Sequence, residues 1–227
     1  MKINKFINVK ELLKGILIFI LFCFSSLFQL IPITLFNIKR TTSNSIILST
    51  FSNICLLIIL IIIIYRRELI KEFKLFKKNL LENLDTGIKY WLIGLLVMMI
   101  SNIIITYILG LNQAQNEQAV QKMINKMPIM MLITAGFIAP ITEEITFRKT
   151  FKNTFLNKYL FIILSDLVFG SMHVITSYSN PLELLYIIPY GSLGMAFATM
   201  YYKTDTIYTS ISMHMLHNTI LTLVSIL

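Results

Sequence analysis

Pro140-Ile-Thr-Glu-Glu-Ile-Thr-Phe-Arg148 lies at the end of a run, Pro128 to Phe147, that is apolar enough to cross a bilayer. A single charge at the centre of a spanning helix costs roughly 2.5–3.5 kcal/mol on insertion scales. Two adjacent acids, Glu143 and Glu144, also repel each other, so hydrophobic drift alone does not explain them. Glu144 and Arg148 are four apart, with the acid N-terminal, the favourable order for an ion pair on one helix face. Glu143 is turned from Glu144 by about 100° and points elsewhere. A structural ion pair near the headgroups is one reading of this stretch, and the rest of the chain decides against it.

Hydrophobic side chains make up 56% of the 227 residues, which excludes an ordinary soluble domain. The composition reads as an all-α, polytopic membrane helix bundle forming a single membrane domain over 1–227. Seven stretches approach the roughly 20 apolar residues that a spanning helix needs. They are 15–36, 45–65, 90–110, 128–147, 159–176, 184–202 and 206–227. The first is 22 residues long without a small-residue cleavage site, so it is expected to stay as an anchor. Cys23 and Cys55 fall within apolar spans and read as small buried hydrophobes.

Lysine and arginine placement sets the expected orientation. The N-terminus (Lys2, Lys5, Lys10, Lys14), the connections around 66–89 and 148–158, and Lys203 put 16 on one side. Lys39, Arg40, Lys122 and Lys126 put 4 on the other. This asymmetry predicts a cytoplasmic N-terminus and an outer C-terminus, and it assigns the net charge of +9 to membrane orientation, with no nucleic acid partner. The three spans of 15–110 include a stretch, 66–86, in which Leu69, Phe73, Phe76, Leu80 and Leu84 form a stripe flanked by lysines. It reads as one amphipathic helix lying on anionic headgroups of the lipid bilayer. Residues 128–227 remain as a four-helix core.

Among the seven spans, intramembrane Asp, Glu and His occur only in the fourth, fifth and seventh. These are Glu143 and Glu144, then Asp166 and His173, then His214 and His217. Such groups face a bundle interior or a watery cavity and mark functional sites. Their confinement predicts a site between helices 4, 5 and 7. His214 and Asn218 are four apart and share a face, while Asp166 and His173 are seven apart and also share one. Gly191, Gly194 and Ala198 form a small-residue face for close helix contact.

Glu143-Glu144-x-x-x-Arg148, Phe169-x-x-x-His173 and His214-x-x-x-Asn218 together resemble the signature of the CPBP intramembrane proteases. That family comprises CAAX prenyl endopeptidases and the bacteriocin-processing and self-immunity (Abi) proteins. The resemblance covers the C-terminal half and implies an intramembrane endopeptidase acting on a membrane-associated peptide or protein. It implies that Glu143 and His173 activate a water and that His214 and Asn218 stabilise the oxyanion. Glu144 and Arg148 are implied as supports. Asp166, which shares the His173 face, is read as a group that orients that ring or receives a substrate group. Because the family is also labelled metalloprotease, Glu143, His173 and His214 are candidate ligands for a divalent metal such as Zn²⁺. A metal-free glutamate mechanism fits the resemblance equally. The implied settings are bacteriocin self-immunity or maturation of a peptide signal. The rival is a non-catalytic immunity or scaffold protein of the same fold.

Overall fold

The computed structural model describes residues 6–176 and 178–227. Lys2 and Lys5, counted above toward orientation, lie outside the described residues. The described chain is helical with short connections and no strands beyond an isolated antiparallel bridge between Ile7 and Phe155. The helices are α1 (Val9–Cys23), α2 (Ser25–Phe36), α3 (Thr42–Ile64), α4 (Arg66–Lys78) and α5 (Leu80–Ile108). They continue with α6 (Gln115–Lys126), α7 (Pro128–Thr154), α8 (Lys158–Val174), α9 (Pro181–Thr204) and α10 (Ile207–Ile226).

Helices α3, α5, α7 and α9 are long and apolar enough to cross a membrane, and α1 with α2 adds a fifth span if that pair, bent by 48°, is taken as one. The protein is therefore a multi-pass membrane protein. The other two of the seven expected spans do not meet the same length and composition. Helix α8 has 17 residues. Helix α10 has 20 but carries Ser210, Ser212, His214, His217 and Asn218. In α10 the polar groups that single the helix out for chemistry are the same groups that lower its hydropathy.

Three expectations for the first half need correction. Residues 66–86 are not one helix, because the chain breaks at Asn79 and α5 begins at Leu80, ten residues before the expected third span. The apolar stripe also has a protein partner. Leu69 is buried, and the rings of Phe73 and Phe76 lie 5.1 and 6.1 Å from that of Tyr208 on α10. Cys23, expected to be buried, is exposed.

Helix α9 is the central post, packed against α5, α8 and α10. Its small residues permit this. A Cβ placed on Gly94 of α5 would come within 2.7 Å of the Ala196 Cβ. A Cβ on Gly194 would come within 2.8 Å of Asp166 Oδ1. Asp205, in the left-handed region at φ 52°, ends α9, and Thr206 caps α10, so the two helices are antiparallel across a very short turn.

At this lysine-rich end Glu72 of α4 ties the core together. Its carboxylate accepts from Lys149 of α7, from the Tyr201 hydroxyl of α9 at 3.0 Å and from the Ile207 N–H opening α10 at 2.8 Å. Thr206 Oγ1 also donates to the Glu72 carbonyl at 3.1 Å. Lys149 is shared with Glu68 at 2.7 Å. These groups border a cleft of about 540 Å³ in which Lys71, Lys149 and Lys152 meet Glu68, Glu72 and Asp205, so its charges balance. Glu72→Ala removes a charge-assisted bond and the acceptor for a helix N-terminus together. The expected loss is about 2–3 kcal/mol of stability, read as a lowered unfolding temperature in detergent.

Candidate active site

Helix α7 reaches the site with two turns of π-helix, Thr134–Ile138 and Glu144–Lys149, on either side of Pro140. A π turn inserts one extra residue and re-aims the side chains beyond it. Through the second turn, six consecutive residues from Glu144 to Lys149 are buried, each toward a neighbouring element. The carbonyl of Ile145 accepts both the backbone N–H of Thr150, five residues on, and Thr150 Oγ1 at 3.1 Å, and the same hydroxyl meets Tyr65 OH at 3.1 Å.

Glu144 and Arg148 are both fully buried, with Arg148 Nε 3.6 Å from Glu144 Oε2. The expected ion pair is formed inside the bundle rather than at its rim. Arg148 also donates to Ser165 Oγ at 3.4 Å and lies over the Phe169 ring, with 4.3 Å from its Cζ to the ring centroid. The other Glu144 oxygen, Oε1, is 3.0 Å from His214 Nδ1. The opposite ring nitrogen, His214 Nε2, is 3.7 Å from Glu143 Oε2. One imidazole thus stands between the two neighbouring acids. Glu144 is sealed, whereas the Glu143 side chain keeps 18% exposure. The His214 ring is held flat by Phe197 of α9, stacked at 4.6 Å between centroids.

His173 enters from α8. Its Nδ1 lies 2.9 Å from the Phe169 carbonyl one turn back, so that nitrogen carries the proton in the neutral ring and Nε2 keeps its lone pair. Tyr190 stacks on the ring at 4.8 Å. Phe169 lies between the histidines, with centroids 4.5 Å from His173 and 5.9 Å from His214. No direct hydrogen bond joins His173 to Glu143 or His214 among the described residues. His173 also borders a cavity of about 10 Å³ with Tyr178, Glu183 and Tyr186, roughly the room that one water needs.

Asn218 is on α10, one turn beyond His214, and its Nδ2 donates to the Ala135 carbonyl of α7 at 2.9 Å. Among the described residues no hydrogen bond joins Asp166 to His173, whose Nδ1 is engaged by its own helix. Asp166 packs against Gly191 and Gly194 of α9. There its Oδ1 is buried without a hydrogen-bond partner. Arg148 Nη2 closes on the same Gly194. His217 accepts from the indole N–H of Trp91 on α5 at 3.4 Å, a partner that reading α10 alone does not reveal. Trp91 is the only tryptophan in the chain, and that rarity was its one sequence signal.

The candidate metal set does not converge. Among the described residues no group of three or more His, Cys, Asp or Glu side chains is placed to hold a metal ion. Glu143 and His214 meet, but His214 already faces a carboxylate at each nitrogen and His173 stands apart across Phe169. The residues therefore do not fit a three-ligand metal site, and no step below is routed through one.

Residues 125–220 match the family model described as type II CAAX prenyl endopeptidase Rce1-like. The matched region contains the three motifs and α7 to α10 up to Ile220. No curated protein and no solved structure matches the chain.

Proposed function

We propose that this chain, a member of the CAAX-type protease family through residues 125–220, is an intramembrane endopeptidase acting by glutamate-activated water. The observation that carries this reading is His214 bridging Glu143 and Glu144 at 3.7 and 3.0 Å. Glu144, neutralised by Arg148, fixes the ring, while Glu143 retains access to water. Seven crossings, with α8 and α10 as the two more polar spans and the N-terminus inside, complete the architecture that this reading uses.

Glu143 takes a proton from a water whose other side is held by the lone pair of His173 Nε2. The water oxygen adds to the scissile carbonyl carbon, and the carbonyl oxygen becomes an oxyanion. His214 Nε2–H and the second N–H of Asn218 Nδ2 stabilise that charge. Because His214 Nδ1–H is given to Glu144, donation from Nε2 as well requires the imidazolium, whose charge the flanking carboxylates compensate. The C–N bond then breaks as the proton held by Glu143 passes to the leaving amine.

The substrate class is a peptide or small protein at the membrane. Its proposed setting is bacteriocin self-immunity or maturation of a peptide signal, and a prenylated CAAX peptide is the probe the family name supplies. The protein is reconstituted in nanodiscs with a farnesylated CAAX peptide, and separately with the same peptide unprenylated, and products are identified by mass. Wild type is expected to release a C-terminal fragment, and His173→Ala to lower kcat/KM about 10²-fold or more at unchanged melting temperature. Retained binding of both peptides with cleavage of neither would favour the non-catalytic scaffold instead.

A further inference from the structure

Pro140 lies in the quoted motif stretch but has no part in the chemistry above. Its effect is on the hydrogen-bond accounting of α7. In the π turn Thr134–Ile138 bonds run from residue i to i−5, and the N–H of Ala139 accordingly reaches the Thr134 carbonyl. The next bond in that register would run from residue 140 to the Ala135 carbonyl. Residue 140 is proline, which has no N–H. A buried carbonyl left without a donor is costly, so a partner is normally found elsewhere. That partner is Asn218 Nδ2 of α10, at 2.9 Å.

The two helices are built to meet here. A Cβ added to Gly136 would come within 3.1 Å of Thr219 Oγ1, so α10 runs against this turn of α7. On its other side the turn is fixed by Thr134 Oγ1, 2.7 Å from Thr50 Oγ1 of α3. The carboxamide nitrogen of Asn218 has two hydrogens. Anchoring one on a carbonyl fixes the plane of the amide and the direction of the other.

We infer that Pro140 is a positioning residue: by withholding an N–H from the Ala135 carbonyl it makes that carbonyl the anchor that orients the free N–H of Asn218. The catalytic half of this inference rests on the proposed role of Asn218 as an oxyanion donor. The structural half does not.

The test is a double-mutant cycle of Pro140→Ala and Asn218→Ala in the full-length protein in detergent, read both as melting temperature and as kcat and KM. An alanine at 140 restores the missing donor and is compatible with a helix. Asn218→Ala in the wild-type background orphans the Ala135 carbonyl and is expected to lower the melting temperature by roughly 2–4 °C. In the Pro140→Ala background the same substitution is expected to cost less than half of that. Pro140→Ala alone is expected to lower kcat about tenfold with KM unchanged, since a misdirected donor is missed only in the transition state. An equal melting-temperature cost in both backgrounds would overturn the inference. An unchanged kcat in Pro140→Ala, with Asn218→Ala strongly impaired, would overturn its positioning half. Should Asn218→Ala itself leave kcat unchanged, the proposed catalytic role of Asn218 fails, while the melting-temperature coupling still decides the anchoring.

Discussion

Glu143→Gln is expected to lower kcat/KM for peptide cleavage by about 10²–10⁴-fold, the range for removing a positioned general base. Two neighbouring acids compete for that role, and their surroundings separate them. Glu144 is fully buried, with Arg148 Nε 3.6 Å from one oxygen and His214 Nδ1 3.0 Å from the other. An acid sealed in this way is closed to an attacking water. Glu143 has only the longer 3.7 Å approach to His214 and retains exposure. Glutamine keeps the shape and the polar contact with His214 but cannot take up a proton, so the loss should fall on kcat with little change in melting temperature. The measurement is single-turnover cleavage in nanodiscs at matched protein concentration. A glutamine variant that cleaves at the wild-type rate would remove Glu143 as the base and end the glutamate mechanism.

The sequence was informative where one helix had to answer to a simple rule. Charges inside apolar runs marked the helices that meet, and the i, i+4 spacing of Glu144 and Arg148 anticipated an ion pair that the structure contains. The small-residue face of α9 was legible for the same reason, since close backbone approach needs residues such as Gly191 and Gly194. What stayed hidden depends on a second element. His217 finds Trp91 across 126 positions of chain, and no pattern within α10 points to α5. Periodicity placed Asp166 and His173 on one face, and both do meet α9, but at different points along it. Asp166 packs on Gly191 and Gly194, while His173 bonds its own helix and stacks on Tyr190. The stripe from Leu69 to Leu84 had the spacing of a headgroup-bound helix, and that pattern does not say whether lipid or Tyr208 covers it. The π turns were also invisible, because no residue preference marks them: two flank Pro140, while two others, Ile59–Ile64 and Ile104–Ile108, contain no proline.

Glu144→Ala is expected to cost about 3–5 kcal/mol of stability, the range for removing one partner of a buried ion pair. The cost follows from what remains. Arg148 has no exposure, and its other close contacts are Ser165 Oγ at 3.4 Å and the face of Phe169; the one acid left near it among the described residues, Asp166 across Gly194, makes no ion pair with it. His214 Nδ1 loses its acceptor at the same time. The variant should unfold at a markedly lower temperature in detergent and lose cleavage with it. The double variant Glu144→Leu/Arg148→Met separates the two roles of the pair. Replacing both buried charges with apolar groups of similar size is often close to neutral for stability, so its melting temperature should recover most of the way to wild type. Cleavage should not recover, because no carboxylate then holds His214 Nδ1 and fixes the ring beside Glu143. A double variant that regains both folding and activity would mean that Glu144 and Arg148 only hold α7 in place.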